Sequence, residues 1–331
     1  MKVLMFDFRE SEKEFFEKNS FSDIDIKFFA EPLNNKTKLS DEELTETDIV
    51  SVYRTSILSE GVLKRFKNLR SIATRSFGFS HIDLEYCKRN HIAVMNVEQY
   101  GEEAVAQYVL GLIINLTRKI RPALMDIRNN TVNPQKYEGK LLNNLKIGII
   151  GCGKVGKKVA QIADFFGMKV FISSYKETPS FEDIPCAIVP FETLLSESDI
   201  IALHMPFTTE TYRILGQEEF QKMKKGVYII NTSSVELIDL EALLEGLQTN
   251  VVSGAGLDIL ESDYLKNKDL GNETMSTKEN SKITSKLLEM PNVIITPHIA
   301  YNTSDSINYV LETTINNIRD CVKGFNTNRV C

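Results

Sequence analysis

The chain has 331 residues, 42% of them hydrophobic and 25% charged, with a formal net charge of -6. That length suits two globular domains with sizeable cores, and the scattered, slightly acidic charge excludes a basic nucleic-acid stripe or a polybasic membrane patch. The opening Met1–Asp7 run is too short for a signal peptide, and no stretch approaches the roughly 18 apolar residues of a membrane span.

Five cysteines, an odd number with no CxxC pair, point to reduced thiols rather than to a disulfide framework or a metal site. A soluble cytoplasmic protein is expected. In chain order, Lys2–Phe6, Ile24–Phe29, Ile49–Tyr53, Ser71–Thr74 and Ile92–Asn96 read as buried strands, with helical spacing in Glu10–Lys18 and Glu60–Phe66 between them. A long helical stretch follows over about Glu102–Asn129, with Ala104, Val109, Leu112, Ile113 and Leu116 on one stripe and Pro122 as its expected break.

A second strand series then runs through Lys146–Ile150, Lys169–Ile172, Ile200–His204, Val227–Asn231, Val251–Asp258 and Val293–Thr296. Strand and helix alternating twice over predicts an α/β protein with two doubly wound parallel-sheet domains. Glu261–Leu287 is polar and reads as a solvated excursion. The last helix, Ser304–Lys323, carries Ile307, Val310, Leu311, Ile315 and Ile318 on a stripe that could return to the first domain.

The strongest local signal is Gly151-Cys152-Gly153-Lys154-Val155-Gly156, directly between the strand ending at Ile150 and a helical pattern over Lys157–Phe166. In a GxGxxG turn the first glycine allows the tight turn, the second lets the backbone approach a pyrophosphate, and the third lets helix pack on strand. Backbone N–H groups at the helix start then face the phosphate charge. The next strand should end in a carboxylate that grips the adenosine ribose of NAD. Ser174 stands there instead, with Lys176 close by, which leaves NAD and NADP both open as cofactors.

Further segments share a resemblance. Ala73-Thr74-Arg75-Ser76-Phe77-Gly78-Phe79-Ser80-His81-Ile82-Asp83 resembles the substrate-carboxylate loop of the D-2-hydroxyacid dehydrogenases. Leu203-His204-Met205-Pro206, Gly226–Thr232, Gly256-Leu257-Asp258 and Thr296-Pro297-His298-Ile299-Ala300-Tyr301 resemble that family's later motifs, in the same order. The likeness spans nearly the whole chain and is strongest toward D-lactate dehydrogenases, including the branch found in vancomycin-resistance clusters, which Met290–His298 resembles in particular.

The resemblance implies a Rossmann cofactor domain, about 100–299, inserted in a flavodoxin-like substrate domain built from 1–99 and 300–331. It implies interconversion of a 2-oxo acid and a D-2-hydroxy acid of the pyruvate/D-lactate type, with no nucleic-acid or membrane partner. Family members are commonly homodimers joined through the cofactor domains, so a homodimer is expected. His298 matches the acid/base position; imidazole titrates near neutrality and can both give and take a proton. Asp263 matches the orienting carboxylate one methylene short, with Glu261 as a substitute. Arg75, Gly78, Phe79 and Tyr100 match the substrate pocket. Gly151, Gly153, Lys154, Val155, Gly156, Ser174, Lys176, Pro206, Thr232 and Asp258 match the cofactor cleft, and no metal is implied.

One departure stands out. Family members carry Asn-Thr-Ser-Arg-Gly after the strand that here ends Asn231-Thr232-Ser233-Ser234-Val235, so Ser234 holds the arginine position. A serine hydroxyl cannot replace a guanidinium fork on a carboxylate. Either another cation such as Arg75, Arg54 or Lys140 enters the cleft, or the substrate differs, or the protein binds NAD(P)(H) as a non-catalytic regulator.

Overall fold

The computed structural model describes residues 1–19, 24–98, 100–174, 184–258, 275–323 and 328–331. It divides into two compact units, Met1–Gly101 with Asn302–Cys331, and Glu102–Tyr301. Both are parallel sheets flanked by helices. Their central strands are mostly apolar and buried because the middle of each sheet is covered on both faces.

The first unit contains β1 (Lys2–Met5), β2 (Asp25–Phe28), β3 (Ile49–Val52), β4 (Ser71–Thr74) and β5 (Ala93–Met95). The sheet order is β2-β1-β3-β4-β5, all parallel. This is the flavodoxin-like order, whose direction reverses between β1 and β3. The helix Ser304–Lys323 does return to this unit. Its Ile315 and Ile318 are buried in one cluster with Val3, Met5, Ile49, Ala73 and Met95, while Val310 packs with Tyr53 and Val97.

The second unit contains β6 (Lys146–Ile150), β7 (Lys169–Ser173), β8 (Cys186–Ile188), β9 (Ile200–Leu203), β10 (Val227–Asn231), β11 (Val252–Leu257) and β12 (Val293–Ile295). The order β12-β11-β10-β9-β6-β7-β8 reverses between β6 and β9, the dinucleotide-binding topology with its crevice at the carboxyl ends of those two strands. Two clusters, one on each face, fill the unit: Ile147, Ile149, Val159 and Ala160 belong to one, Ile201, Leu203, Ile229 and Leu243 to the other.

Three expectations need correction. The stretch after Glu102 is two helices, Glu102–Thr117 and Ile120–Arg128, and the break is at Lys119, whose φ is 53°. Pro122 sits in the first turn of the second helix, where no backbone N–H is required. The polar segment Glu261–Leu287 runs into a helix, Met275–Glu289; its Ile283, Thr284 and Leu287 are buried, three contacts that its polar composition conceals. Edge strand β8 went unread because only three residues form it.

Candidate active site

The carboxyl edge of the seven-stranded sheet gathers the second unit's candidate residues. β6 runs into Gly151, whose φ of +98° is left-handed; a Cβ there would lie 2.6 Å from the His204 carbonyl oxygen. Gly153 caps the helix Lys154–Phe165. A Cβ on Gly153 would meet nothing within 4 Å, whereas one on Gly156 would collide with the Gly151 carbonyl oxygen. The turn thus has one glycine forced by φ, one by helix–strand contact, and one that leaves open space at a helix N-terminus. That open space, where a pyrophosphate would approach, fits a dinucleotide.

Lys154 is exposed at the helix start and Val155 is half-buried against the core. Ser174 follows the end of β7 and hydrogen-bonds the Cys152 thiol; burial nevertheless pushes that thiol up to about 11. Lys176 lies outside the described residues.

Across the switch point, β9 is followed by His204 and leads to exposed Pro206, whose carbonyl accepts from Thr211 Oγ1 at 2.9 Å. The His204 ring is buried, neither nitrogen has a partner, and burial pushes its pKa down to about 4. After β10, the Thr232 hydroxyl is likewise buried without a partner. Orphaned polar groups of this kind usually await a ligand or water, which again fits a bound cofactor. The Ser234 hydroxyl donates a hydrogen bond to the Glu236 carboxylate, and Asn231 Nδ2 donates to the Ser234 carbonyl at 2.7 Å.

The tightest constellation joins β11 and β12. Asp258, 1% exposed, accepts three hydrogen bonds: Thr296 Oγ1 at 2.5 Å and Ile299 N at 2.9 Å on Oδ1, and Ala300 N at 2.7 Å on Oδ2. The carboxylate therefore clasps the loop that carries His298, whose φ is 53°. His298 is half-buried, its ring centroid 6.1 Å from that of Tyr301. Sequence reasoning assigned Asp258 to the cofactor and missed this clasp. Asp263 and Glu261 lie outside the described residues.

In the first unit, Gly78 is exposed, Phe79 is half-buried, and Tyr100 packs against Tyr53, Val97 and Val310. Arg75 departs from its expected place in the pocket. It is fully buried, donating Nη2 to Phe6 O at 2.5 Å and Nη1 to Ser51 Oγ at 3.1 Å, with its guanidinium 4.2 Å from the Tyr53 ring centroid. Its charge is committed to the interior.

The other two cations separate clearly. Lys140 lies 5.3 Å from the ring of Tyr228, near the amino end of β10 and so away from the edge that carries the glycine turn. Arg54 is exposed just beyond the carboxyl end of β3. It faces His81, whose pKa is pushed down to about 4 by burial first and by Arg54 second. Among the described residues no group of three or more His, Cys, Asp or Glu side chains could hold a metal ion, and no helix is long and apolar enough to cross a membrane.

With this geometry in place, comparison with known proteins is specific. Residues 110–300 match the family described as D-isomer specific 2-hydroxyacid dehydrogenase, NAD binding domain. A D-specific alpha-keto acid dehydrogenase of Enterococcus faecium is 34% identical over 273 residues, 82% of each chain. An aromatic 2-oxoacid reductase of Clostridium sporogenes is 33% identical over 86% of each. The solved D-lactate dehydrogenase of Aquifex aeolicus, complexed with NAD and lactic acid, superposes with a TM-score of 0.84 at 32% identity, covering 99% of this chain and 98% of that one.

The chain belongs to the D-isomer-specific 2-hydroxyacid dehydrogenases. It is an NAD-dependent oxidoreductase of the 2-oxo/2-hydroxy acid class.

Proposed function

We propose that the protein reduces small 2-oxo acids of the pyruvate type to D-2-hydroxy acids, with His298 as proton donor. The observation that carries this reading is the Asp258 clasp. It holds His298 at the same sheet edge as the glycine turn. A bound NADH supplies the hydride. The chain's own part is to hold the substrate carboxylate on the backbone N–H groups of Gly78 and Phe79, line the pocket with Tyr100, and give a proton from the His298 imidazole to the carbonyl oxygen. Ser174, which brings no negative charge to the ribose site, supports acceptance of NADPH as well as NADH.

Ser234 sets the level of activity. Without a guanidinium the developing oxyanion loses a donor worth roughly 10²–10³ in kcat. Of the three basic residues considered, Arg75 is buried, whereas Arg54 is exposed just beyond the carboxyl end of β3. The Ser234–Glu236 pair favours a second reading, an NAD(P)(H)-binding regulator without turnover, because it places a carboxylate where an anionic substrate would be held.

Following NADH and NADPH absorbance with pyruvate, phenylpyruvate and hydroxypyruvate, beside a cofactor titration, separates the two. Turnover that falls about 10²–10⁴-fold in His298→Ala is expected; tight cofactor binding with no turnover on any of them overturns the enzymatic reading.

We further propose a cytoplasmic homodimer. Exposed apolar side chains at Ile120, Leu124, Ile127, Val132 and Leu141 support a second copy as the partner. Sedimentation should give twice the chain mass, and Leu124→Glu/Ile127→Glu should give a monomer.

A further inference from the structure

The loop after β4 is held by its carbonyl groups. Ser76 O accepts from Val97 N at 3.2 Å, Phe77 O from Asn96 Nδ2 at 3.0 Å, and Gly78 O from Ser76 Oγ at 2.6 Å. Among the described residues no peptide bond is cis. In a trans peptide the N–H points opposite to the preceding C=O. Pinning Phe77 O and Gly78 O therefore aims the N–H groups of Gly78 and Phe79 away from the body of the unit.

Asn96 sets the first of these and is itself held from two directions. Its carbonyl accepts from Asn317 Nδ2 at 2.8 Å, and Asn317 Oδ1 accepts from Asn328 Nδ2 at 2.9 Å. Its backbone N–H donates to Asn328 O at 3.1 Å. Residues 328–331 run antiparallel along β5, bridging Met95 to Arg329, with Val330 N on Val94 O at 2.7 Å and Val94 N on Cys331 O at 3.2 Å. Asn96 and Asn317 are 3% and 1% exposed, so these amides have little water to fall back on.

We infer that Asn317 and Asn328 are positioning residues for the substrate-carboxylate loop, acting through Asn96. The inference rests on the reading of that loop given under Proposed function. The final helix and the 328–331 segment then help to set the direction of the amides that receive the substrate.

The test compares wild type with Asn317→Leu, Asn328→Gly, the double variant and Gly78→Val. Asn328 has φ 56°, so glycine removes its side chain without strain while keeping the carbonyl that holds Asn96. Leucine keeps the branched shape of Asn317, with a somewhat larger volume, and removes both hydrogen bonds. A Cβ at Gly78 meets nothing within 4 Å, so valine tests the loop directly. Oxamate affinity of the NADH complex is read by calorimetry, beside the NADH Kd, the melting temperature and pyruvate kinetics.

Each asparagine variant should weaken oxamate about tenfold, as loss of one buried hydrogen bond implies. NADH Kd and kcat should stay within about twofold. The double variant should be no worse than Asn317→Leu, because both act on one chain of contacts. Gly78→Val should weaken oxamate further.

If Gly78→Val weakens oxamate and the asparagine variants change only the melting temperature, or lower oxamate and NADH binding together, the relay is overturned. If wild type does not bind oxamate, or Gly78→Val leaves it unchanged, the reading of the loop falls and the relay with it.

Discussion

Ser234 spends its hydroxyl on Glu236, two residues along the same turn. The side chain at the position where the family carries arginine is thus paired to an anion instead of offered to one. Ser234→Arg alone would leave its guanidinium shared with Glu236. Ser234→Arg/Glu236→Gln should therefore gain more, raising kcat/KM for pyruvate by roughly 10²–10³ over wild type. Steady-state kinetics on both variants checks this; no gain in either means that the missing arginine does not limit the reaction.

Asp258 accepts from Thr296, Ile299 and Ala300 at once, which only a carboxylate with two acceptor oxygens can do without loss. Asp258→Asn turns one of those acceptors into a donor facing a donor. The expected result is a fall in kcat of about 10–100-fold, equivalent to roughly 1.4–2.8 kcal/mol, with the NADH Kd nearly unchanged. If the NADH Kd instead worsens in step with kcat, Asp258 serves the cofactor rather than the His298 loop.

The two sheets were legible because strands covered on both faces are written as largely apolar runs, such as Ile49–Val52 with its single Ser51, and Ile147–Ile150. Edge strand Cys186–Ile188 has no such signature, and the helix Met275–Glu289 hides behind a polar composition because its burial comes from few residues. Pro122 drew attention to the right neighbourhood, yet the break lies at Lys119, whose left-handed backbone leaves no mark in its residue type.

At the site, the glycine turn was readable because its requirements are local to six residues. The Asp258 clasp was not, since it forms between segments about 40 residues apart in sequence. Arg75 was misplaced for a related reason: an arginine in a loop motif does not announce whether its guanidinium turns outward or, as here, inward to Phe6 O and Ser51.

His81 and His204 each have a folded-state pKa pushed down to about 4, in both cases chiefly by burial. A depressed histidine pKa means that the unfolded chain binds the extra proton first. Each therefore contributes stability that is fully present above about pH 6.5 and is lost as pH falls toward about 4. The shift sets an upper bound of roughly 3 kcal/mol for each. Urea midpoints of the cofactor-free protein should rise from pH 4.5 to about pH 6.5 and then level off. Since neither nitrogen of His204 has a partner, His204→Leu should flatten part of that slope; a slope unchanged in this variant would assign the pH dependence to other groups.

The glycines of the turn provide a final and separable prediction, because adding a side chain should fail for different reasons at two positions three residues apart. At Gly156 a Cβ would run into the Gly151 carbonyl oxygen, which is backbone in the tight turn before the helix and cannot move aside cheaply. Gly156→Ala should therefore lower the melting temperature of the cofactor-free protein, at a cost of about 1–3 kcal/mol. At Gly153 the added group enters open space, and the residue's φ of -70° suits any side chain. Gly153→Val should leave the melting temperature of the cofactor-free protein unchanged. It should still weaken NADH about 100-fold or more, because a branched side chain then stands where the backbone must approach a pyrophosphate. Thermal melts with and without NADH read both effects at once: wild type should be stabilised by NADH, and Gly156→Ala should be stabilised from a lower start. Gly153→Val should start at the wild-type temperature and not respond. A Gly153→Val protein that still shifts with NADH as wild type does would mean that the open space beside Gly153 is not the phosphate site.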